Sequence, residues 1–482
     1  VATPYFGHVI EGMETPPDDG PRAPSVDPFT RRPWAVAPAG DHAVAARAVA
    51  AARTAFDSGP WPGMGFTRRG VLLHRLADLV EEHIEELALA DTRDMGKPIS
   101  DSRGKDVPRA AQNLRFFADH ARLGAAETYP MDSGHHAYSR YEPAGVVVAV
   151  SPWNYPLMLA TWKIAPALAW GNTVVLKPSE ETPASATILA RLAIEAGLPP
   201  GVLNVVHGAG DAVGEPLVTD PRVDRVTFTG GTATGRAIAT AAAANLTPVS
   251  LELGGKGASV VFADADLDQA VAWSIKAIFT NAGQICLAGS RLLVQRDIYD
   301  AFLSRFVAAA EALPGGDPSD PTTRFGPLAS ARHHRAVLQH VRRAEEAGAR
   351  VVTGGAGEGW IVRPTVLTGV GTGTAAWREE IFGPVVTVTP FTDEKDAVRL
   401  ANDTRYGLNA MLFTSDLSRA HRVAGRLRAG TVWVNCFFVR DLRAPFGGAA
   451  ESGVGREGGT FSRDFFTEPK AVVIQVDEGD RP

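Results

Sequence analysis

Short, largely apolar runs recur between residues 145 and 263, and helical stretches separate most of them. They read GVVVAV at 145–150, TVVLK at 173–177, VLNVVH at 202–207, RVTFTG at 225–230 and ASVVFA at 258–263. A continuous apolar run of this length is a strand buried on both faces, and strands that alternate with helices build a doubly wound parallel α/β sheet. In such sheets ligands bind at the carboxyl ends of the strands, so the residues just after each run become candidates for function.

Upstream, residues 1–40 are rich in proline, glycine and aspartate and read as an extended arm with short strands. The pattern then predicts helices over Asp41 to Phe56, over 67–96 as one long amphipathic segment, and over Val107 to Leu123, followed by a hairpin over Tyr129 to Tyr141. After about residue 263 a second α/β unit begins, with strands at SRLLVQ (290–295), RVVTGG (350–355), PVVTVTPF (384–391) and TVWVN (431–435). The tail FFTEPKAVVIQV (465–476) ends in a strand without an obvious local partner; an uncovered edge of that kind favours an oligomer.

A chain of 482 residues exceeds one ordinary domain. Its net charge of −6 carries no basic surplus, so nucleic acid is not an expected partner. No run is long and apolar enough to cross a bilayer and no basic-then-apolar leader is visible, so no membrane partner is expected and the cytoplasm is the default location. Two cysteines, Cys286 and Cys436, make a disulfide framework unnecessary and fit a reducing compartment. No metal site is expected.

Several segments carry chemistry. Cys286 lies in GQICLAGSR, where small neighbours leave a carbonyl room to reach the sulfur. Glu252, in SLELGGKG, ends an apolar segment before a Gly-Gly pair; a carboxyl in an apolar pocket can serve as a general base towards water. Asn154, in SPWNYP, follows the first buried run, and its amide can donate to a developing oxyanion. Lys177 and Glu180, in VVLKPSEETP, stand at another strand end, where a lysine can hold a ribose hydroxyl or phosphate and an acid accepts from a ribose 2′-hydroxyl. FTGGTATGRAI at 228–238 and GAGDAVG at 208–214 are glycine turns that let a pyrophosphate approach; each alone is a common pattern.

Taken together, SPWNYP, LKPSEETP, FTGGTATG, LELGGK, GQICLAGSR, REEIFGPV and PFGGAAESGVGREGG resemble the aldehyde dehydrogenases in order and spacing, from about residue 25 to 476. The resemblance implies a Rossmann-like parallel-sheet NAD-binding domain (1–121 and 144–253), a second α/β catalytic domain (254–445) and a small β oligomerisation unit (122–143 and 465–477). It implies a dimer or tetramer, and NAD as cofactor, with NADP the alternative. Cys286 would attack the aldehyde carbon, Asn154 and the Cys286 N–H would hold the oxyanion, Glu252 would activate the hydrolytic water, and Lys177 would complete the catalytic set. Trp153, Lys177, Glu180, Gly210, Gly214, Thr229, Gly230, Gly231, Leu253, Glu380 and Phe382 match cofactor-contacting positions. Two departures are Gly231, often Ser or Glu, and Gly257, commonly Asn, whose absent side chain is expected to loosen the loop beneath the site.

The segment VNCFFVRDLRAPFGG (434–448) resembles the subgroup that acts on muconic-type semialdehydes. It puts Arg440 at a substrate-tunnel position, with Arg109 and Phe116 of the second long helix as further tunnel residues. Two convergent guanidinium groups would bind a carboxylate distal to the aldehyde; otherwise they would pair with Asp106, Asp441 or solvent. Ser290 and Arg291 stand where several such relatives carry Glu-Arg. Alternative readings are an enzyme for neutral or aromatic aldehydes, a CoA-acylating relative, which generally lacks the base, a non-catalytic structural member, which tends to lose the groups retained here, and a cofactor-binding redox sensor.

Overall fold

A computed structural model describes residues 3–17, 20–132 and 134–476. Of the spans expected above, residues 1, 2, 18, 19, 133 and 477 lie outside the described residues.

The buried runs form the centre of an eight-stranded sheet in the spatial order Met13–Glu14, Val9–Ile10, Leu203–Val205, Thr173–Lys177, Val146–Val150, Arg225–Thr229, Val249–Glu252 and Gly453–Val454. The five strands from Leu203–Val205 to Val249–Glu252 run parallel. The chain lays down Val146–Val150, Thr173–Lys177 and Leu203–Val205 in one direction, then returns to add Arg225–Thr229 on the opposite side of the first. The order therefore reverses between Val146–Val150 and Arg225–Thr229, which pair directly with Val150 opposite Phe228. A reversal of this kind opens a crevice at the strand ends, because the two following loops diverge to opposite faces.

A second, seven-stranded sheet runs in the order Arg350–Ala356, Val362–Thr368, Val385–Phe391, Arg291–Gln295, Ala258–Val261, Asn409–Phe413 and Thr431–Val434. The chain passes from one sheet to the other across residues 253–257. Gly257 does not loosen that passage: a Cβ there would meet the Ala288 carbonyl at 2.9 Å and the Asn409 amide at 3.0 Å, so the space is already filled.

The helices depart from expectation at one place. The segment 67–96 is two helices, Phe66–Glu82 and Ile84–Met95, broken at His83, whose ψ of 23° leaves the helical range. Periodicity persists through the break because both pieces bury their apolar face in the same core, through Leu76 and Val80 on one side and Leu87 and Ala88 on the other. Gly96, at φ 80°, ends the second piece in the left-handed conformation glycine tolerates.

The tail differs too. Phe465 and Phe466 belong to the helix Gly459–Phe466, and the strand begins at Thr467. It does have a partner, distant in sequence: Thr467–Gln475 pairs antiparallel with His135–Pro143, from Thr467 opposite Pro143 to Gln475 opposite His135. Thr128–Tyr129 completes this three-stranded sheet, leaving Thr467–Gln475 as its outer edge, with Val473 56% and Ile474 47% exposed.

Candidate active site

The crevice at the strand reversal is a groove of about 970 Å³. Trp153, Lys177, Glu180, Gly210, Gly214, Thr229, Gly230 and Gly231 all line it, so eight residues from four separate segments meet in one place. The helix Thr232–Ala243 starts at Gly231 with no side chain capping it, which leaves its first N–H groups free for an anion. A Cβ on Gly210 or Gly231 would meet nothing within 4 Å, so both positions open onto the groove. Thr229 Oγ1 is buried there without a hydrogen-bond partner. Lys177 lies 3.6 Å from Glu180, and burial lowers its pKa. The groove also carries Glu181, Asp211 and Glu215 together with Arg332; the Glu180 carboxyl can accept from a free ribose 2′-hydroxyl, where a 2′-phosphate would meet a like charge. These features fit a dinucleotide.

The other cofactor positions implied by the sequence lie beside the groove. Phe382 packs edge-on to Trp153 with ring centroids 5.4 Å apart. Leu253 is not among the lining residues; it is buried under the helix at Gly235, where an added Cβ would strike its side chain. Glu380 reaches the passage between the sheets, where its Oε1 accepts from the Gly255 N–H at 2.8 Å. Burial raises its pKa to about 7, with that bond and Lys256 opposing the rise. Lys256 is buried with no partner for its Nζ, and burial, followed by Arg291, lowers it to about 7.

Cys286 follows three consecutive left-handed residues, Asn281 (φ 53°), Ala282 (φ 53°) and Gly283 (φ 73°). Such conformations persist only when their surroundings fix them. Here Asn281 Nδ2 donates to the Asn154 carbonyl at 2.9 Å, and Asn154 Nδ2 donates to the Gln284 carbonyl at 2.9 Å. Gln284 Oε1 in turn accepts from the Ala329 N–H at 2.9 Å. The network ties Asn154 to the loop that carries the cysteine, and leaves the second hydrogen of its amide uncommitted. Asn281 and Gln284 had not been assigned a role, although Gln284 lies inside the quoted GQICLAGSR.

Cys286 keeps part of its surface exposed, yet its sulfur sits among apolar neighbours. Burial pushes the thiol up to about 12; the carboxyls of Glu380 and Glu252 add to this, and Arg440 opposes it. The resting thiol is therefore protonated at neutral pH.

Glu252 ends the strand Val249–Glu252, in register with Thr229 on one side and Gly453 on the other. It is buried, and its Oε1 has no partner. A Cβ on Gly447 would come within 2.6 Å of that oxygen, so the glycine of PFGG makes room for the carboxyl. Burial holds its pKa well above the usual carboxylate range; Glu457 raises it further, while Lys163, Arg440 and Arg456 pull it back. Glu457, another residue with no assigned role, accepts from Trp162 Nε1 at 2.6 Å and from Lys163 Nζ at 3.0 Å.

A second cavity, of about 230 Å³, contains both Arg109 and Arg440 in its wall, with Tyr155, Trp162 and Phe437. Arg440 stacks over Phe446 at 3.7 Å and over Trp162 at 4.7 Å, with Nη2 buried and unpartnered. Arg109 donates to Asn113 at 3.2 Å. The acids that could neutralise them are engaged elsewhere: Asp106 pairs with Lys97 and Asp441 with Arg443. Tyr155, buried in this wall, has an unpartnered hydroxyl, and burial, followed by Asp106 and Asp101, raises its pKa well above the ordinary value. Phe116 lies outside these lining residues; its ring stacks on His120 at 5.5 Å and meets Phe117 edge-on.

A dinucleotide groove, a strand-end carboxyl at Glu252 and a loop thiol at Cys286 fit an oxidoreductase. The chain matches the aldehyde dehydrogenase family over residues 15–472, and it belongs to that family of NAD(P)-dependent oxidoreductases. It is 48% identical over 443 residues to 2-hydroxymuconic semialdehyde dehydrogenase of Pseudomonas sp. (strain CF600), covering 89% of this chain and 91% of that one. It is 43% identical over 462 residues to 2-aminomuconic semialdehyde dehydrogenase of Danio rerio, covering 94% of each. Among solved structures, that of indole-3-acetaldehyde dehydrogenase in complex with NAD+ superposes with a TM-score of 0.96 at 42% identity, covering 98% of this chain and 96% of that one.

Proposed function

We propose that the chain uses NAD to oxidise a semialdehyde bearing a distal carboxylate to the corresponding acid. The observation that carries the substrate class is the pair of guanidinium groups, Arg109 and Arg440, lining one cavity with no ion pair among the described residues. Arg440 feels the carboxyls of Glu252 and Glu457 without pairing directly with either, and a carboxylate offering two oxygens would satisfy both guanidinium groups with charged hydrogen bonds. The muconic-semialdehyde names of the relatives support the same reading.

In this reading the neutral resting thiol of Cys286 gives its proton to solvent water in the cavity as Sγ bonds to the aldehyde carbon. The free hydrogen of the Asn154 amide and the Cys286 N–H donate to the carbonyl oxygen as it gains charge. Lys177, Glu180 and the start of the helix Thr232–Ala243 would hold the dinucleotide, which would supply a hydride acceptor there. Glu252, once ionised, takes a proton from the water that releases the acid from the sulfur. The eight-stranded unit, with 1–121 and 144–253, would bind the cofactor; 254–445 would carry the nucleophile.

The exposed outer edge of Thr467–Gln475 would pair or pack in a homo-oligomer. No helix among the described residues is long and apolar enough to cross a membrane, and both cysteines are free thiols, which suits the cytoplasm. The test is an NADH-linked comparison of semialdehydes with and without a distal carboxylate at equal chain length. A higher kcat/KM for the carboxylated member supports the reading; equal values remove the substrate assignment.

A further inference from the structure

His333, on the helix Ala331–Glu346, plays no part in the chemistry above. Its Nε2 lies 2.7 Å from the Phe382 carbonyl. A carbonyl can only accept, so Nε2 carries the hydrogen and donates it. Phe382 adopts φ 55°, a left-handed conformation that a bulky side chain avoids unless its surroundings hold it there. The His333 ring also meets Trp153 edge-on at 5.2 Å and Phe382 at 6.0 Å, while Trp153 and Phe382 meet each other at 5.4 Å. Three rings thus close a triangle, with Trp153 lining the dinucleotide groove.

The turn that Phe382 begins is wedged between two structures. On one side a Cβ at Gly383 would press on Val337, one turn along the helix that bears His333. On the other a Cβ at Gly283 would collide with the Gly383 carbonyl, so the turn abuts the left-handed segment that leads to Cys286.

We propose that His333 is a positioning residue: by donating to the Phe382 carbonyl it holds the strained turn, and with it the Trp153 and Phe382 rings, in the arrangement that receives the dinucleotide. The inference rests on the functional reading of Trp153 and Phe382 as cofactor contacts. Burial lowers the imidazole pKa to about 4, so the ring is neutral throughout the working range and acts as a fixed donor rather than a charge.

The experiment measures NAD binding to the full-length protein without aldehyde, by tryptophan fluorescence quenching and calorimetry. His333→Phe keeps a ring and loses the donor; His333→Gln loses the ring and keeps an N–H donor. Expected is a roughly five-fold weaker Kd for His333→Phe, the order of one hydrogen bond, and a return to within about two-fold in His333→Gln. The aldehyde KM at saturating NAD should be unchanged in both. Should His333→Phe not fold, His333→Asn, whose amide is too short to reach the carbonyl, replaces it with the same expectation. Wild-type affinity in the donorless variant, or no recovery in His333→Gln, overturns the inference while the functional reading stands. Failure of the wild-type protein to bind NAD overturns both.

Discussion

Glu380 accepts a hydrogen bond from the backbone N–H of Gly255, 2.8 Å away, and so rests against the passage that follows Glu252. A Cβ on Gly254 would strike the same carboxyl, and one on Gly255 would meet the Cys286 carbonyl, so the two glycines let an acid and the nucleophile loop share one strap. The charge of Glu380 is consequently felt by the thiol, where it is the leading contribution after burial.

Removing that charge should make Cys286 more reactive. With the Glu380 pKa near 7, the group is mostly ionised at pH 8 and raises the thiol pKa; Glu380→Gln therefore lowers it and increases the thiolate fraction. In a Cys436→Ser background, iodoacetamide labelling of the cofactor-free protein at pH 8 should be roughly three- to ten-fold faster in Glu380→Gln than in the parent. Arg440→Ala should have the opposite sign, because Arg440 lowers the thiol pKa. Slower labelling in Glu380→Gln would contradict this electrostatic picture.

The two arginines of the substrate cavity predict a loss greatest on charged substrates. Arg440→Ala and Arg109→Ala should each lower kcat/KM for a carboxylated semialdehyde by about ten- to a hundred-fold, the range of one charged hydrogen bond. Values for a neutral aldehyde of equal length should move by less than about three-fold in Arg109→Ala; in Arg440→Ala, which also raises the Cys286 thiol, they should fall too, but by clearly less than those for the carboxylated substrate. A uniform loss on both substrates would mean that the side chains matter for packing alone, which the contacts of Arg440 with Phe446 and Trp162 would allow.

The pH dependence of turnover follows from Glu252. A carboxyl raised well above its ordinary value is protonated, and useless as a base, below that raised pKa. Turnover should therefore still be rising with pH above about pH 5, where an ordinary glutamate would already be ionised. Glu457 is the charged neighbour that raises Glu252 most, so Glu457→Gln lowers the Glu252 pKa and moves the limb to lower pH. A profile of kcat against pH for both proteins checks the sign.

Cofactor choice rests on the Glu180 carboxyl. Glu180→Gln removes a carboxylate that would repel a 2′-phosphate, and should raise kcat/KM for NADP about ten-fold while lowering that for NAD. Steady-state kinetics with each dinucleotide decides it.

Much of this arrangement was legible in the sequence because it depends on local pattern. The runs at 146–150, 173–177 and 225–229 are rich in buried apolar residues, and the residues following them do meet in one groove. The strand Val362–Thr368 is not legible because Arg363 and Pro364 interrupt its apolar residues, and Asn409–Phe413 because four apolar residues alone fit a helix turn as well as a strand; both take their places through pairing with neighbours. Thr467–Gln475 looked unpartnered because its partner lies more than three hundred residues earlier. In the site, Cys286, Glu252 and Asn154 announce themselves through their motifs, but Asn281, Glu457 and His333 act through backbone carbonyls or other side chains. Only three-dimensional contact reveals those roles. Phe116 was placed by its position on a helix, and its ring turned out to serve aromatic packing next to His120 instead.

The covalent chemistry itself is tested most directly by a single-turnover experiment that mixes enzyme, NAD and a carboxylated semialdehyde and follows NADH. The wild-type protein should turn over continuously, Glu252→Gln should release about one NADH per site and then stall, and intact-mass analysis of the stalled protein should find one acyl group on Cys286. Cys286→Ala should yield no NADH. Undiminished NADH formation in Cys286→Ala, or an acyl group on any other residue, would contradict the assignment of that sulfur as the nucleophile.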